Sequence, residues 1–333
     1  MDTLSVCIIA RNEEENILRC LKSIEDIADE IILIDTGSID NTITIAQKFN
    51  ANIIEFPWNN DFSLARNKAL ENATKDWILY IDCDESLDIT QVYTLKNILD
   101  KSSHIGFRLK LINIIDNKPY CGEYLLRLIK NNCGFYFSGK INETIKNSIY
   151  TDSYENNILN LDIILYNYGY DLNQKKLYDR CNRNISIYLS YKDEEKDYLY
   201  YYNLANEYFL LKNLKKAIDN YIIAIYLSDN FFINSYITFT IIKAYFKMRK
   251  YDTAILIGEK LLDKYDAFRE IYLLLGICYE KIGNLDKSKE NLRKYLKLFT
   301  KGSNYYFSLD YINMKNLIPE MFGFNIETLK HLN

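Results

Sequence analysis

Short, continuously apolar segments alternate with stretches of helical spacing through residues 4–81, and this alternation most constrains how the chain can fold. Strands are predicted at 4–10, 30–35, 52–56 and 77–81, with amphipathic helices between them. Strands that are apolar along their whole length and separated by helices predict an α/β fold, with a mostly parallel sheet covered on both faces. Because such sheets bind ligands beyond the carboxyl ends of their strands, the residues that follow these four segments are the first candidates for chemistry.

The pattern changes twice along the rest of the chain. Between about residues 105 and 166, longer strand-like segments with hairpin-like breaks predict an extension of the same sheet. After about residue 172 the spacing is helical throughout. We therefore predict a sheet domain over 1–172, a helical linker over 173–195 and an all-α domain over 196–333.

The helical part contains an internal repeat. Three short segments align with one another around Tyr208, Tyr245 and Tyr279, and a short turn follows each of them. A small residue recurs at the same distance after each tyrosine, at Ala217, Ala254 and Ser288. Small residues at fixed positions let paired helices approach closely, and stacked pairs bury a shared core. This pattern predicts a helical-repeat domain.

Composition and charge exclude several classes of protein. The net charge of −4 makes a broad basic surface for nucleic acid improbable. No apolar run approaches the roughly 18 residues that a membrane span needs. The first apolar run follows Asp2 rather than basic residues, so we do not interpret it as a signal peptide. Seven scattered cysteines without a CxxC pair indicate reduced thiols, and we expect a cytoplasmic protein.

Two acidic residues, Asp82 and Asp84, follow the fourth predicted strand. In an extended chain, residues two apart point to the same side, so the two carboxylates are expected to share a face. Paired carboxylates at a strand end suit Mg²⁺ or Mn²⁺, which can neutralise a diphosphate. An isolated pair of this kind more often simply ends a strand, but here other polar blocks accompany it.

A polar block follows each of the four predicted strands, at residues 9–14, 35–42, 58–70 and 82–85. In this order, the blocks resemble glycosyltransferase family 2 on a GT-A fold, over about residues 3–90. A weaker likeness continues through 139–143 and 168–170. A domain of this kind followed by helical repeats resembles bacterial family 2 enzymes that glycosylate peptides or proteins, including the S-glycosyltransferases of bacteriocin peptides. The repeats themselves resemble tetratricopeptide repeats, although other helical-hairpin arrays fit the pattern.

The resemblance assigns the nucleoside to the first two blocks. Ala10, Asn12 and Glu13 would lie in the loop that contacts the nucleoside. Asp35 and Thr36 would lie near the base and ribose, with Thr36 standing where many members of the family have a second acid.

The resemblance assigns the chemistry to the later blocks. Arg66 would reach the base or a phosphate, as suits a guanidinium beside an anionic donor. Asp82 would approach the ribose or sugar, and Asp84 the metal, with Asp82 and Asn142 as its further ligands. Glu143 is the candidate base that accepts the proton of the acceptor.

The ligand set and the base are the least determined part of the predicted site. The family usually has His-Glu where this chain has Asn142 and Glu143, and often has His where this chain has Asn167. Only His104 and His331 are present in the chain, and His104 is interpreted as structural. Glu123 and Asp61 are reserve candidates for the base. Asp40 is interpreted as a helix cap, and Trp58 is equally consistent with packing and with a role towards the substrate.

These observations favour an inverting glycosyltransferase that uses Mn²⁺ or Mg²⁺. It would move a sugar from a nucleotide-sugar donor, expected to be UDP-linked, to a protein or peptide side chain. Two alternatives remain: transfer to a lipopolysaccharide or other cell-surface glycan precursor, and a non-catalytic peptide-binding protein with a degenerate GT-A domain. The repeats are expected to bind the acceptor, or else to buttress the first domain or form a homodimer.

Overall fold

The structure is a computed structural model that describes residues 2–100, 102–147, 157–169 and 174–300. The chain forms two compact units that divide after Gln174. Tyr170, the last residue of the segment 168–170, lies outside the described residues, as do His331 and the part of the predicted repeat domain beyond 300.

The first unit alternates strands and helices as its sequence predicts. Its helices are α1 (Ile17–Ile24), α2 (Thr42–Gln47), α3 (Phe62–Asn72) and α4 (Val92–Leu99). Its strands are β1 (Leu4–Ala10), β2 (Glu30–Asp35), β3 (Asn52–Glu55), β4 (Trp77–Tyr80), β5 (Glu85–Leu87), β6 (Gly106–Ile115), β7 (Lys118–Lys130), β8 (Phe135–Ser138), β9 (Thr144–Asn147) and β10 (Ile158–Asn167).

Eight of these strands form one sheet in the order β3-β2-β1-β4-β7-β6-β10-β5. β7 runs antiparallel to β4 and β6, and β5 runs antiparallel to β10, whereas the other pairs are parallel. The predicted mostly parallel α/β sheet is therefore confirmed. Since Ala10 pairs with Asp35, β1 and β2 end level, and the carboxyl ends of β1 to β4 form one edge of the sheet.

Both faces of the sheet are buried, as continuously apolar strands require. Along β1, Val6 and Ile8 enter the core on the side of α1 and α4, and Cys7 enters the core on the side of α3 and β8. Each fully buried aliphatic side chain of this kind contributes about 1.5–3 kcal/mol by leaving water.

A separate two-stranded sheet, β8–β9, is fastened to α3. Asn67 donates its side-chain amide to the carbonyl of Phe137 at 2.9 Å and accepts the N–H of Phe137 at 2.7 Å. At the start of α3, the N–H of Phe62 donates to the carbonyl of Lys140 at 2.8 Å. These bonds fix the loop 139–143, which connects the two strands, against α3.

The second unit consists of helices over its described residues. They are α5 (Gln174–Leu189), α6 (Tyr198–Leu210), α7 (Leu214–Leu227), α8 (Phe231–Lys247), α9 (Tyr251–Leu262), α10 (Arg269–Lys281) and α11 (Leu285–Thr300). α5 covers most of the predicted linker, and its Asn184 donates to Glu207 of α6 at 2.8 Å. None of the described helices is both long enough and apolar enough to cross a membrane.

The turns α6–α7, α8–α9 and α10–α11 share one geometry. Each has a residue in the left-handed region, namely Lys212, Arg249 and Gly283. In each, the next N–H donates to the carbonyl of the aligned tyrosine, at 2.9, 3.0 and 2.9 Å for Tyr208, Tyr245 and Tyr279. The recurring small residues are buried as well, at Ala217, Ala254 and Ser288. The predicted helical repeat is confirmed by this equivalence.

Candidate active site

The loops after β1 and β2 are joined by hydrogen bonds. Thr36 donates both its N–H and its hydroxyl to the carbonyl of Ala10, at 2.9 and 3.1 Å. The N–H of Asn12 donates to the Ser38 hydroxyl at 3.0 Å, and the Asn12 side chain accepts the N–H of Ile39 at 2.8 Å. The structure therefore brings Ala10, Asn12 and Thr36 together where the loops after β1 and β2 meet.

Asp35 orders the loop that follows β2. Its side chain is buried and accepts the N–H groups of Gly37 and Ser38 at 3.1 and 3.0 Å. Asp40 was expected to cap α2, but the N-cap is Asn41, whose side chain makes no capping bond; Asp40 lies one residue earlier, and its carboxylate accepts the N–H of Thr42, the first residue of the helix, at 3.0 Å.

Glu13 follows Asn12 in the loop between β1 and α1. Its N–H donates to the Thr42 hydroxyl at 2.8 Å, and its carboxylate accepts from the side chain of Asn16 at 2.9 Å. Its negative charge helps to raise the pKa of Asp84, so the first block and the acidic block interact electrostatically.

Asp82 lies between two guanidinium groups. Its Oδ1 is 2.8 Å from Nη2 of Arg66, and its Oδ2 is 3.5 Å from Nη2 of Arg127. Burial alone would raise the pKa of Asp82, but the two positive charges outweigh burial and hold this pKa below its ordinary value. Asp82 is therefore an ionised, fixed acceptor at the end of β4.

Arg66 links the end of β4 to the loop between β8 and β9. Its Nε lies 2.5 Å from Oε1 of Glu143, and both side chains are largely buried. Burial opposes the charge of Arg66, but Asp82 and Glu143 together raise the pKa of its guanidinium. The rings of Tyr80 and Phe137 lie 5.9 and 5.4 Å from it. The fold thus brings Arg66, Asp82 and Glu143 together from three separate parts of the sequence.

Asp84 has the opposite electrostatic environment to Asp82. Burial raises its pKa to about 6, and the charges of Asp82 and Glu13 add to this effect. Its carbonyl accepts the N–H of Tyr168 at 2.8 Å, which joins the end of β4 to the end of β10. Asp84 therefore lies where negative charge is in excess and a bound cation would be favourable.

The end of β10 closes around the Asp84 carboxylate. A Cβ on Gly169 would stand 2.0 Å from Oδ2 of Asp84 and 3.2 Å from Oδ1 of Asn167, so a larger residue there would displace the Asp84 carboxylate. The Asn167 side chain accepts the N–H of Gly169 at 2.8 Å. Asn167, which stands where the family often has His, thus lies beside Asp84.

The remaining candidates have structural contacts of their own. Trp58 packs against Phe62 with ring centroids 4.7 Å apart, Asp61 caps α3 by accepting the N–H of Leu64 at 3.2 Å, and Glu123 is exposed on β7. Asn142 is exposed in the loop that carries Glu143 and has a left-handed backbone conformation.

His104 lies away from the carboxyl edge of the sheet. It precedes β6, at the opposite end of the sheet from the carboxyl ends, and its ring centroid is 5.9 Å from that of Phe107. Its structural interpretation agrees with this position, and the strand begins at Gly106, one residue after the predicted start at about residue 105.

Sequence reasoning missed Arg127 and Glu85. Nη2 of Arg127 lies 2.6 Å from Oε1 of Glu85, whose side chain is 1% exposed. Burial raises the pKa of Glu85 to about 7, whereas Glu85 and Asp82 raise that of Arg127; the 2.6 Å contact favours the ionised pair. The sequence signal that could have found Arg127 is an arginine within the otherwise apolar run 125–129 of β7.

The residues present fit a divalent cation that is shared with a ligand. Within the described parts of the chain, no group of three or more His, Cys, Asp or Glu side chains is arranged to hold a metal. Mg²⁺ is often bound by one or two carboxylates together with substrate phosphates and water, so such a cluster is not required. Asp84 supplies the carboxylate, and the neighbouring negative charge of Glu13 favours a cation there.

Comparisons with known proteins agree with this arrangement. Residues 5–154 match the model of glycosyl transferase family 2. The SPbeta prophage-derived glycosyltransferase SunS of Bacillus subtilis is 31% identical over 243 residues, which are 66% of this chain and 54% of that protein. A TPR repeat-containing protein of Synechococcus elongatus is 37% identical over 150 residues, which are 45% of this chain and 37% of that protein. The chain therefore spans about half or less of these two relatives.

Solved structures resemble the chain loosely. The crystal structure of S. aureus TarS aligns with 73% of this chain and 52% of that one, at 15% identity and a TM-score of 0.43. A superposition of this quality adds nothing to the match with the family model.

Proposed function

Because its first unit is a glycosyl transferase family 2 domain, we propose that this protein is an inverting, metal-dependent glycosyltransferase. It moves a sugar from a UDP-sugar donor to a protein or peptide side chain. The observation that carries the proposal is the group of Arg66, Asp82 and Glu143, which the fold assembles beside Asp84 at the carboxyl edge of the sheet.

The donor occupies the cleft between the joined loops and the end of β4. Ala10, Asn12, Glu13, Asp35 and Thr36 line the nucleoside end, and Arg66 and Asp82 face the diphosphate and sugar. Asp84 holds the divalent cation, with Asp82 and Asn142 as its further predicted ligands. When bound, Mn²⁺ or Mg²⁺ neutralises the charge that develops on the departing diphosphate.

Glu143 acts on the acceptor. An oxygen or sulfur atom of the acceptor attacks the anomeric carbon, the bond from this carbon to the diphosphate breaks, and Glu143 accepts the acceptor's proton. The contact between Glu143 and Arg66 holds the base at the donor end of the cleft, on a loop fastened to α3. Single displacement at the anomeric carbon inverts its configuration.

The helical repeats bind the acceptor. Stacked helical hairpins present an extended surface that suits a peptide better than a small glycan. This feature favours a peptide or protein acceptor over a cell-surface glycan precursor.

Donor hydrolysis tests the proposal without knowledge of the acceptor. Purified protein is incubated with a panel of nucleotide sugars and Mn²⁺, and free nucleoside diphosphate is followed. We expect slow hydrolysis of at least one UDP-sugar, abolished by EDTA and by Asp84→Asn. Asp286→Asn, the same change at an exposed position of α11, is the matched control and should leave hydrolysis unchanged. If none of the nucleotide sugars is turned over or bound, the result would instead favour a non-catalytic peptide-binding protein.

A further inference from the structure

Arg127 lies at a β-bulge in a buried part of β7. Phe107 of β6 pairs with Leu128 and Arg108 pairs with Leu126, so the register skips Arg127. A bulge re-aims the side chain of its extra residue, and bulges are frequent beside active sites. The residue is only 8% exposed, so this irregularity places a guanidinium inside the protein.

Two routes connect this guanidinium to Asp82. Nη2 of Arg127 lies 3.5 Å from the Asp82 carboxylate directly, and 2.6 Å from Oε1 of Glu85. The other oxygen of Glu85, Oε2, accepts the backbone N–H of Asp82 at 3.0 Å. Arg127 and Glu85 together therefore fix both the backbone and the side chain of Asp82.

Stability does not explain this buried pair. Removing two charges from water costs about as much as their attraction returns, and replacing both partners by neutral residues is often harmless or stabilising. In addition, Nε of Arg127 is buried with no hydrogen-bond partner among the residues the structure describes. A buried polar group without a partner calls for an explanation, and here the orientation of the guanidinium serves the two carboxylates.

We propose that Arg127 is a positioning residue for glycosyl transfer, acting through Glu85 to hold Asp82 against the donor sugar. The inference rests on the proposed function, which assigns Asp82 to the donor. Arg66 contacts the same carboxylate at 2.8 Å from α3, so Asp82 is held from two sides. A misplacement of about 1 Å in a positioning group can lower a rate about 10²-fold.

The double variant Arg127→Met/Glu85→Gln separates positioning from stability. It removes both charges at once, and the amide that replaces the Glu85 carboxylate keeps a side-chain oxygen to accept the Asp82 N–H. The fold should therefore melt near the wild-type temperature.

The expected result is a loss of about 30- to 100-fold in kcat for donor hydrolysis, with UDP affinity within about threefold of the wild type. The affinity is retained because the loops that bind the nucleoside are untouched. If Arg127 and Glu85 only stabilise the fold, a double variant that is as stable as the wild type should also be as active. Wild-type kcat in the stable double variant would therefore overturn the proposal.

Two further variants complete the experiment. Arg127→Lys keeps one positive charge, but an ammonium group cannot replace the planar guanidinium at both carboxylates, so kcat should fall about tenfold. This variant tests the proposal if the double variant does not fold. Wild-type kcat in Arg127→Lys would also overturn the proposal. Arg269→Met removes another buried arginine, paired with Glu270 at 2.7 Å in α10, and should lower the melting temperature without changing donor turnover.

A crystal structure of the double variant distinguishes failure of the inference from failure of the proposed function. If the wild type turns over no donor, the proposed function fails, and the position of Asp82 still tests Arg127. We expect the Asp82 carboxylate to shift by about 1 Å towards Arg66. An Asp82 that keeps its wild-type position would overturn the proposal.

Discussion

At the scale of single residues, two carboxylates that are two positions apart have opposite environments. Asp82 contacts two guanidinium groups, which hold its pKa low, whereas burial and the negative charges of Asp82 and Glu13 raise the pKa of Asp84 to about 6. Asp82, which is paired with the two arginines, is suited to accept hydrogen bonds in a fixed orientation. The residue with excess negative charge around it is suited to a cation.

The raised pKa of Asp84 predicts a pH dependence. Between about pH 4 and pH 6 the unfolded chain ionises this carboxyl group before the folded protein does, so the folded state loses stability as the pH rises. Without metal, the melting temperature of the wild type should therefore fall relative to that of Asp84→Asn across this interval. Binding of Mn²⁺ should strengthen over the same interval, because the ion needs the ionised carboxylate.

Thermal melts in EDTA and calorimetric titration with Mn²⁺ check this prediction. The difference between the wild type and Asp84→Asn isolates this one group from other titrating residues. If the melting temperatures of the two proteins change in parallel from pH 4 to pH 7, the pKa of Asp84 is not raised.

Glu143→Gln tests the assignment of the base. Glutamine preserves the shape and can still accept the Nε–H of Arg66, but it cannot accept a proton from the acceptor. Turnover should fall about 10²- to 10⁴-fold, while UDP affinity stays within about threefold. Release of nucleoside diphosphate and calorimetric binding of UDP measure the two quantities, with Glu71→Gln on the exposed side of α3 as the control. Undiminished turnover would remove Glu143 from the mechanism.

At the scale of elements, the site is made from strand ends, and these are the parts that the sequence predicts best. The apolar runs of β1, β2 and β4 and the polar blocks behind them are local patterns, so their place at one edge follows from the parallel sheet. Arg127 and the end of β10 could not be placed in this way. Their contacts depend on β7 lying between β4 and β6 and on a bulge, which are long-range features.

Gly169→Ala tests the contact between the end of β10 and the acidic block. A Cβ there would stand 2.0 Å from Oδ2 of Asp84, so the carboxylate has to move. We expect Mn²⁺-dependent UDP binding to weaken at least about tenfold, while the protein remains folded. In an Asp84→Asn background the same change should add little, because the two residues act on one position. Equal losses in both backgrounds, measured by calorimetry, would refute this coupling.

At the scale of the whole molecule, the chain consists of two compact units with different architecture and separate cores. The repeat of the second unit could be predicted because each hairpin has a tyrosine and a small residue at equivalent positions. The identity of the acceptor could not be predicted, because no short sequence pattern relates the exposed side chains of a repeat surface to the ligand they bind. The proposed function therefore assigns donor chemistry and acceptor binding to different units.

Truncation tests this division of roles. A chain ending at residue 174 keeps the whole first unit and should still hydrolyse the donor at a rate within about threefold of the full chain. It should lose transfer to the acceptor, which mass spectrometry of candidate peptides detects. Circular dichroism establishes that the fragment is folded. A folded fragment that still glycosylates the acceptor would show that the repeats do not bind it.

In the proposed function, Asp84 holds a divalent cation beneath the diphosphate of a nucleotide sugar. A crystal of the full chain soaked with Mn²⁺ and UDP tests it most directly, through anomalous diffraction from manganese. We expect one strong peak in contact with the Asp84 carboxylate and the diphosphate oxygens, with the uridine against the loops after β1 and β2. Bound UDP with no manganese at Asp84, or no nucleotide at this edge of the sheet, would contradict it.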